Sequence, residues 1–281
     1  MLSPYQLLKK YNIRPKKKWG QNFLADANHV QKIIDVADIT SDDTILEIGA
    51  GLGTLTMPLT HHAKNVLALE VDPIMVNILQ NELANISNFH LMQADILKVE
   101  PSNLLQILIP DFSVADDYIV VANLPYYITS AIIRRLQESN HPPKKMVITV
   151  QKEVAQRITA RPNDMSLLAV SVQFYGKPTL CHTIPAQAFI PLPNVTSAVL
   201  GIERHAVLPI TIESKLFFRV VKAGFSQKRK QLKNTLAGSF HVSSHEIANR
   251  MQSVGISPTR RPQTLSLEEW EIVTKCLIDF I

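Results

Sequence analysis

The feature of this chain that most limits its fold is a regular alternation of short apolar runs with longer amphipathic stretches. The first two apolar runs are "TILEIGAG" at residues 44–51 and "NVLALEVD" at residues 65–72. This succession is typical of parallel β-strands joined by crossover helices. Further strands are predicted for five segments: "FHLMQAD" (89–95), "YIVVAN" (118–123), "KMVITVQ" (145–151), "SVQFYG" (171–176) and "VTSAVLGIE" (195–203). We therefore expect an α/β fold built on a mostly parallel sheet.

The end of the strand series predicts a change of architecture. The spacing between strands shortens there, and a proline-rich loop occupies residues 185–195. We expect the last strands to pair as an antiparallel hairpin at the edge of the sheet. Beyond residue 205 we find no convincing strand, and four amphipathic segments are predicted to be helices: 213–227, 230–240, 244–255 and 267–280. Two domains are expected, an α/β domain over residues 1–205 and a helical domain over residues 206–281.

Composition narrows the class of partner. The chain has 281 residues, of which 46% are hydrophobic and 19% charged, which is enough for one large core and a smaller second unit. The net charge of +5 favours a polyanion such as nucleic acid. Cys181 and Cys276 are the two cysteines of the sequence, so we expect neither a disulfide framework nor a cysteine-rich metal site, and a reducing cytoplasm fits. No apolar run is long enough to predict a membrane span, and we expect no bound metal.

A glycine-rich loop follows the first predicted strand. Gly49, Gly51 and Gly53 stand at alternate positions, which lets the backbone turn sharply and lets a ligand approach it closely. A turn without a ligand would show the same pattern. Glu70 ends the second strand about 20 residues later, the separation at which a carboxylate meets ribose hydroxyls. Asp95 follows the third strand, where a carboxylate can accept from an exocyclic amine such as adenine N6.

The identity of the cofactor stays open on this evidence. A dinucleotide would fit the loop and the acids. Two features favour S-adenosylmethionine: the glycines read G-x-G-x-G, and Glu47 lies inside the strand just before them. We expect Gly49, Gly51, Glu70 and Asp95 to bind it.

The stretch "NLPYY" ends the fourth strand with residues that a buried strand does not need. It matches the Asn-Pro-Pro-Tyr type motif of amino-methyltransferases. The Asn123 side-chain oxygen and the Leu124 carbonyl can accept hydrogen bonds from an adenine N6, and Pro125 stiffens the loop. Tyr126 offers a face on which an extruded base can stack. We expect methyl transfer here to rely on alignment and desolvation, without a metal.

The whole chain resembles the ribosomal RNA adenine N6,N6-dimethyltransferases of the small subunit. The resemblance rests on motifs that occur in the family's order: "KKWGQNFL" (17–24), "EIGAGLG" (47–53), "NLPYY" (123–127), "FIPLPNVTSAV" (189–199), "GFSQKRKQLKNTL" (224–236) and "RRPQTLS" (260–266). It implies a Rossmann-like class I methyltransferase domain, with a seven-stranded sheet and an antiparallel edge, beside a small all-α domain. It also implies that S-adenosylmethionine is used to dimethylate two adjacent adenosines near the 3′ end of 16S ribosomal RNA, in the assembling 30S subunit.

The resemblance also assigns roles to single residues. Asn22 and Leu24 are similar to residues that contact the methionine end of the cofactor, and Asn123 to one shared between cofactor and target amine. Phe189 is similar to a second stacking aromatic. Tyr127 stands where the family often has Asn, a difference that we expect to change little.

Two clusters of basic residues predict contacts to RNA phosphates. Six Lys or Arg residues lie between Lys9 and Lys18. Six more are assigned to RNA docking by the second domain: Arg219, Lys222, Lys228, Arg229, Lys230 and Lys233. Solvated helix faces would also carry such charges. A monomer is expected.

Three other functions remain open. The related macrolide-resistance methyltransferases modify large-subunit RNA, but "NLPYY" and the C-terminal "RRPQTLSLEEW" argue against them. An NAD-dependent oxidoreductase would need a hydride-handling His or Tyr-Lys site, which we do not find. The third is a ribosome-assembly factor that keeps the fold without catalysis.

Overall fold

A computed structural model describes residues 2–16, 19–113 and 115–280 and divides the chain into two compact units. The first unit runs to Ala155 and includes Pro178–Arg204. The second contains Gln156–Lys177 and the residues from His205 onward. The part of the second unit that begins at His205 agrees with the boundary expected at residues 205–206. The part at Gln156–Lys177 differs from the expectation, which places these residues in the first domain. The assignment of cofactor binding to one domain and RNA docking to the other stays a prediction.

A seven-stranded sheet forms the centre of the first unit. Its strands and a separate short pair are β1 (Phe23–Leu24), β2 (Thr44–Ile48), β3 (Asn65–Glu70), β4 (Phe89–Gln93), β5 (Tyr118–Asn123), β6 (Lys145–Gln151), β7 (Gly176–Ile184), β8 (Phe189–Ile190) and β9 (Ser197–Arg204). The order in the sheet is β4-β3-β2-β5-β6-β9-β7. The pairs from β4 through β6 are parallel, and β9 runs antiparallel to β6. The expected α/β fold with an antiparallel edge is confirmed.

Strand register brings three segments that contain predicted site residues to one edge of the sheet. The last residue of β2, Ile48, pairs with Leu69 of β3 and with Ala122 of β5. Glu70 and Asn123 are therefore each one residue beyond the end of β2, on either side of it. Since the carboxyl ends of parallel strands meet at the same edge, the loop that begins at Gly49 lies between these two side chains.

Continuous apolar sequence explains why these strands are central. Leu46, Val120 and Val147 are all fully buried, as expected for parallel strands covered on both faces. The helices of this part of the chain are α1 (Pro4–Lys10), α2 (Ala27–Ala37), α3 (Thr56–His62), α4 (Pro73–Glu82), α5 (Pro101–Leu108), α6 (Thr129–Gln137) and α7 (Lys152–Ile158). Among the described residues, no helix is both long enough and apolar enough to cross a membrane.

The prediction of a strand at "SVQFYG" is wrong. These residues end helix α8 (Leu167–Tyr175), which is capped by the Ser166 hydroxyl accepting from Ala169 N–H, and β7 begins only at Gly176. Most residues of the segment and its surroundings are apolar, so the spacing of apolar residues does not distinguish a helix from a strand here. Packing decides in favour of the helix, because Phe174 is fully buried against the ring of Phe217.

The four helices predicted for the C-terminal part are confirmed. They are α9 (Ser214–Gly224), α10 (Leu232–Phe240), α11 (Ser244–Ser253) and α12 (Leu267–Cys276). Trp270 of α12 is fully buried in their core, and it packs so closely on Gly224 that a Cβ there would lie 2.4 Å from its ring. Only glycine fits at that contact.

Candidate active site

A cleft of about 760 Å³, partly open to solvent, lies at the carboxyl edge of the sheet in the first unit. Four segments form its walls: residues 19–24, the glycine loop, the end of β3, and the turn after β5. The predicted site residues that line it are Asn22, Leu24, Gly49, Gly51, Glu70, Asn123, Leu124, Pro125 and Tyr126. Residues distant in sequence are thus brought together as expected, while their roles stay predictions.

The glycine loop has a backbone conformation that side chains disfavour. Gly49 and Gly51 have φ angles of +74° and +56°, in the left-handed region. A Cβ on Gly51 would also lie 3.0 Å from the ring of Phe23. Gly49 N–H donates to the Leu69 carbonyl at 2.8 Å, which holds the loop against the neighbouring strand. The loop therefore presents bare backbone to the cleft.

Glu70 is a buried carboxylate fixed by backbone donors. One oxygen accepts from Gly51 N–H at 2.8 Å, and the other accepts from Val71 and Asp72 N–H at 2.8 and 2.9 Å. Burial raises the pKa of Glu70 and outweighs these three hydrogen bonds, which act to lower it. Each carboxylate oxygen can accept more than one hydrogen bond, so a hydroxyl of a ligand can still bind here.

Glu47 is a second carboxyl group in the wall of the cleft, and it was not among the predicted site residues. It is only 1% exposed, and its Oε2 has no hydrogen-bond partner within the part of the chain that the structure describes. Burial raises the pKa of Glu47 to about 8, against an opposing effect of the Thr56 hydroxyl and with a further increase from the charge of Glu70. Its position before the glycines was the only signal in the sequence.

The charge of the cleft has one sign. Two carboxyl groups line it, and of the described lining residues none is Lys, Arg or His. A cation is therefore favoured as the ligand over a polyphosphate, because a cation stabilises the ionised form of either carboxyl group, whereas no described lining residue carries the positive charge that an anion would need.

The turn after β5 holds a carboxamide and an aromatic ring in fixed orientations. Asn123 Nδ2 donates to the Asn22 carbonyl at 3.0 Å, which leaves Oδ1 as the acceptor at the other end of the amide. The hydroxyl groups of Tyr126 and Ser197 share a hydrogen bond of 2.7 Å, which fixes the edge of the half-buried Tyr126 ring. Burial raises the pKa of Tyr126, partly offset by that hydrogen bond. An acceptor and a stacking surface thus lie at one end of the cleft.

The N-terminal wall of the cleft is anchored by an ion pair that sequence analysis missed. The fully buried Asp72 accepts from Lys16 Nζ at 3.0 Å and from Gln21 Nε2 at 3.0 Å, and it caps α4 through Ile74 N–H. Burial acts to raise the pKa of Asp72, but the Lys16 and other hydrogen bonds outweigh it, so that its pKa is lowered. "DP" at residues 72–73 predicts a helix start, but no local pattern identifies Lys16 as the partner.

Two predicted residues are not in the wall of the cleft. Asp95 has a side chain that is 37% exposed, accepts from Leu97 N–H at 3.0 Å, and lies 3.9 Å from Lys98. Phe189 is 2% exposed and packs in the apolar core, where β8 pairs with β1. Neither side chain lies in the wall of the cleft, so both roles stay predictions.

The basic clusters differ in their surroundings. In the first, Lys10 pairs with Glu82 and Lys16 pairs with Asp72, while Lys17 and Lys18 lie outside the described residues. In the second unit, Arg219, Lys222, Lys228, Arg229 and Lys230 are exposed and Lys233 is half-buried. No acidic partner within 4.0 Å is present in the described structure for Lys228, Arg229 or Lys230. These three charges are available to phosphates.

Among the described residues, no cluster of three metal-ligating side chains occurs.

Comparison with known proteins gives a consistent result. The family model described as "Ribosomal RNA adenine dimethylase" matches residues 12–278. A "Ribosomal RNA small subunit methyltransferase A" of Dehalococcoides mccartyi is 40% identical over 276 residues, covering 96% of this chain and 91% of the relative.

Two solved structures share the fold. One is a dimethyladenosine transferase from Plasmodium falciparum, with a TM-score of 0.75 and 22% identity over 92% of this chain and 98% of that one. The other is the 23S rRNA methyltransferase ErmE, with a TM-score of 0.70 and 23% identity over 92% of this chain and 100% of that one. At these identities the likeness concerns the fold alone.

Proposed function

The chain belongs to the ribosomal RNA adenine dimethylase family of methyltransferases, and we propose that its substrate is 16S ribosomal RNA. The reaction is the transfer of methyl groups from S-adenosylmethionine to N6 of two adjacent adenosines near the 3′ end of that RNA. The enzyme acts as a monomer in the cytoplasm on the assembling 30S subunit. The small-subunit methyltransferase named above, at 40% identity, supports this choice of subunit.

The observation that carries the proposal is the carboxamide of Asn123. Its amino group is occupied by the Asn22 carbonyl, so its oxygen is the end that faces an incoming amine. Adenine N6 is a poor nucleophile because its lone pair is delocalised into the ring. Acceptors in fixed places favour a pyramidal nitrogen whose lone pair points at the methyl donor. Asn123 Oδ1 and the Leu124 carbonyl are these acceptors.

The charge of the cleft supports S-adenosylmethionine over a dinucleotide. Its sulfonium and ammonium groups match a site with two carboxyl groups and no described basic residue, whereas a diphosphate does not. When bound, this cofactor supplies an electrophilic methyl group. Glu70 would accept from its ribose hydroxyls, and Gly49 and Gly51 would let it lie close to the loop backbone. Asn22 and Leu24 would contact its methionine end.

The protein's contribution to the reaction is positioning. Tyr126, oriented by Ser197, stacks on the extruded adenine. Each transfer would break the S–CH₃ bond of the donor, leave a neutral thioether, replace one N6–H bond by N6–CH₃ and release a proton. Asp95 is proposed to bind the adenine of the cofactor, and Phe189 to provide a second stacking contact.

The second unit is proposed to dock the RNA. Its exposed charges bind phosphates, which gives affinity and orientation with little reading of sequence. The residues assigned to this role are Arg219, Lys222, Lys228, Arg229, Lys230 and Lys233. Specificity then comes from the shape of the ribosomal RNA and from the cleft.

Purified enzyme with radiolabelled S-adenosylmethionine tests the proposal on unmethylated 30S subunits, 50S subunits and naked 23S RNA. We expect label in N6,N6-dimethyladenosine of 16S RNA from the 30S particle alone. Asn123→Ala should lower the rate about 10²- to 10³-fold, the loss typical of one preorganised polar group. Asn103→Ala, at an exposed position of α5, is the control and should be unchanged.

Three other outcomes would contradict the proposal, each in a different way. Label in the large-subunit substrate alone would assign the enzyme to the methyltransferases that modify large-subunit RNA. Normal activity of a folded Asn123→Ala variant would refute the mechanism. Binding to 30S particles without any methyl transfer would favour an assembly factor.

A further inference from the structure

Tyr127 is a large aromatic residue at the rim of the cleft that the proposed mechanism does not use. It is 64% exposed, although its neighbours Pro125 and Tyr126 both line the cleft. Its hydroxyl has no hydrogen-bond partner among the described residues. Exposure alone does not distinguish Tyr127, since Tyr5 is equally exposed; its position directly after two residues that line the cleft does.

The ring of Tyr127 is held by the backbone beneath it. Gly20 has a φ angle of +61°, and a Cβ on it would lie 3.2 Å from Tyr127 Cε1 and 3.3 Å from Pro125 Cβ. The absence of that Cβ lets the ring rest against the chain at residue 20. Tyr127 also lies in a short 3₁₀ turn, Tyr126–Ile128, in which Ile128 N–H donates to the Pro125 carbonyl. One side of the ring is thus supported, and the rest is open to solvent.

We infer that Tyr127 is a stacking platform for the nucleotide next to the adenosine whose base is in the cleft. The inference rests on the proposed function, and it replaces the expectation that a tyrosine at position 127 changes little. A base that stacks on Tyr126 inside the cleft is joined by one phosphodiester to neighbours that must remain at the rim. The next residue in the chain after Tyr126 places an aromatic ring there.

The proposed substrate makes this occupant a purine. Its two target adenosines are adjacent, so whichever enters the cleft leaves the other as a flanking base. Stacking needs only the π-face of a base, and a supported ring with two side-chain torsions loses little entropy on binding. Tyr127 would then help to present the second adenosine after the first has been modified.

Steady-state methylation of 30S subunits tests the inference with matched variants. Tyr127→Ala should raise KM for 30S subunits about 5- to 150-fold, the fold-change that corresponds to one base–aromatic stack. Tyr127→Phe should stay within about twofold of the wild type, because the ring carries the contact. Tyr5→Ala is the control, since Tyr5 is 65% exposed on α1 and does not line the cleft.

Cofactor affinity, measured by calorimetry, separates this role from a structural one. It should be unchanged in Tyr127→Ala. The inference is overturned if KM for 30S subunits is unaffected, if Tyr127→Phe is as impaired as Tyr127→Ala, or if cofactor affinity falls in parallel with KM.

A direct measurement of stacking uses Tyr127→Trp. We expect its tryptophan emission to be quenched by a short single-stranded oligoadenylate, beyond any quenching of the wild type, and not by an abasic oligomer of equal length. Equal quenching by both oligomers would refute stacking. If the wild type methylates no 30S particle, the proposed function fails, and this titration still decides the role of Tyr127.

Discussion

At the scale of single residues, Glu47 gives the proposal of a cationic cofactor a measurable consequence. A carboxyl group with 1% exposure cannot be hydrated, so its neutral form is favoured, and the charge of Glu70 adds to this preference. A bound cation reverses the balance by stabilising the ionised form. Binding of a cationic cofactor and release of a proton from Glu47 should therefore be linked.

The pKa of about 8 makes that linkage measurable. Because the folded protein keeps the Glu47 proton above the pH at which the unfolded chain loses it, the unfolding free energy should fall as pH rises from about 5 to 8. One such group changes the unfolding free energy by at most about 1.4 kcal/mol per pH unit. In Glu47→Gln this component should be absent. Urea unfolding at several pH values gives the comparison.

Glu47→Gln should also show whether the ionisation of Glu47, as distinct from its packing, affects cofactor affinity. Cofactor affinity of the wild type should rise with pH through about 8, and that of Glu47→Gln should not. Glu268→Gln, at an exposed position of α12, should behave as the wild type in both measurements. A pH profile of Glu47→Gln parallel to the wild type would show that another group titrates.

At the scale of elements, the end of β3 organises two neighbouring segments. Asp72 begins α4 and at the same time binds Lys16 and Gln21, which precede the N-terminal wall of the cleft. That wall includes Asn22, whose carbonyl orients Asn123 at the end of β5. The buried carboxylate of Asp72 thus connects the start of α4 to the orientation of Asn123, the residue predicted to contact the amine that accepts the methyl group.

Asp72→Ala should therefore have two effects, whereas loss of a helix cap alone has one. Removal of the cap should lower the unfolding free energy by about 0.5–2 kcal/mol. Release of the wall should weaken cofactor binding about tenfold, equivalent to one net hydrogen bond. Asp26→Ala is the matched control, because Asp26 caps α2 through Asn28 N–H in the same way. If both variants bind cofactor equally well, the anchor has no role at the site.

At the scale of the whole molecule, charge and chemistry are assigned to different compact units. The carboxyl-lined cleft belongs to the first unit, and the exposed Lys228, Arg229 and Lys230 belong to the second. A net charge of +5 is therefore a poor guide to the local field, since the cleft proposed to bind the cofactor is lined by two carboxyl groups and by no basic residue among those described. RNA affinity and cofactor affinity should respond to different substitutions.

Salt dependence tests this separation. Lys228→Ala combined with Lys230→Ala should weaken binding to 30S subunits and reduce the slope of log affinity against log salt by about 0.7–0.9 for each phosphate that the protein no longer neutralises. Cofactor affinity should be unchanged. Lys32→Ala with Lys64→Ala removes the same charge from exposed positions of the first unit and should leave the slope as it was. Equal effects of the two pairs would mean that net charge alone matters.

The sequence predicts an element correctly where the spacing of its apolar residues matches the surface that the element buries in the folded protein. The strand at residues 118–123 and the helices beyond residue 213 were predicted because their apolar periods match the surfaces that they bury. The segment at residues 171–176 was not, since its apolar residues suit a helix and a strand equally and its partners in the core lie more than 40 residues away in Phe217 and Phe218.

The sequence by itself determined which residues meet at the edge of the sheet, because parallel strands align their carboxyl ends and motifs such as "NLPY" follow those ends directly. Only the tertiary structure decided which side chains in and near this edge are exposed, buried or paired. It left Asp95 partly exposed, buried Phe189, paired Lys16 with Asp72 and left Glu47 without a partner. Burial and long-range pairing depend on which distant segments pack together, and no local pattern records that.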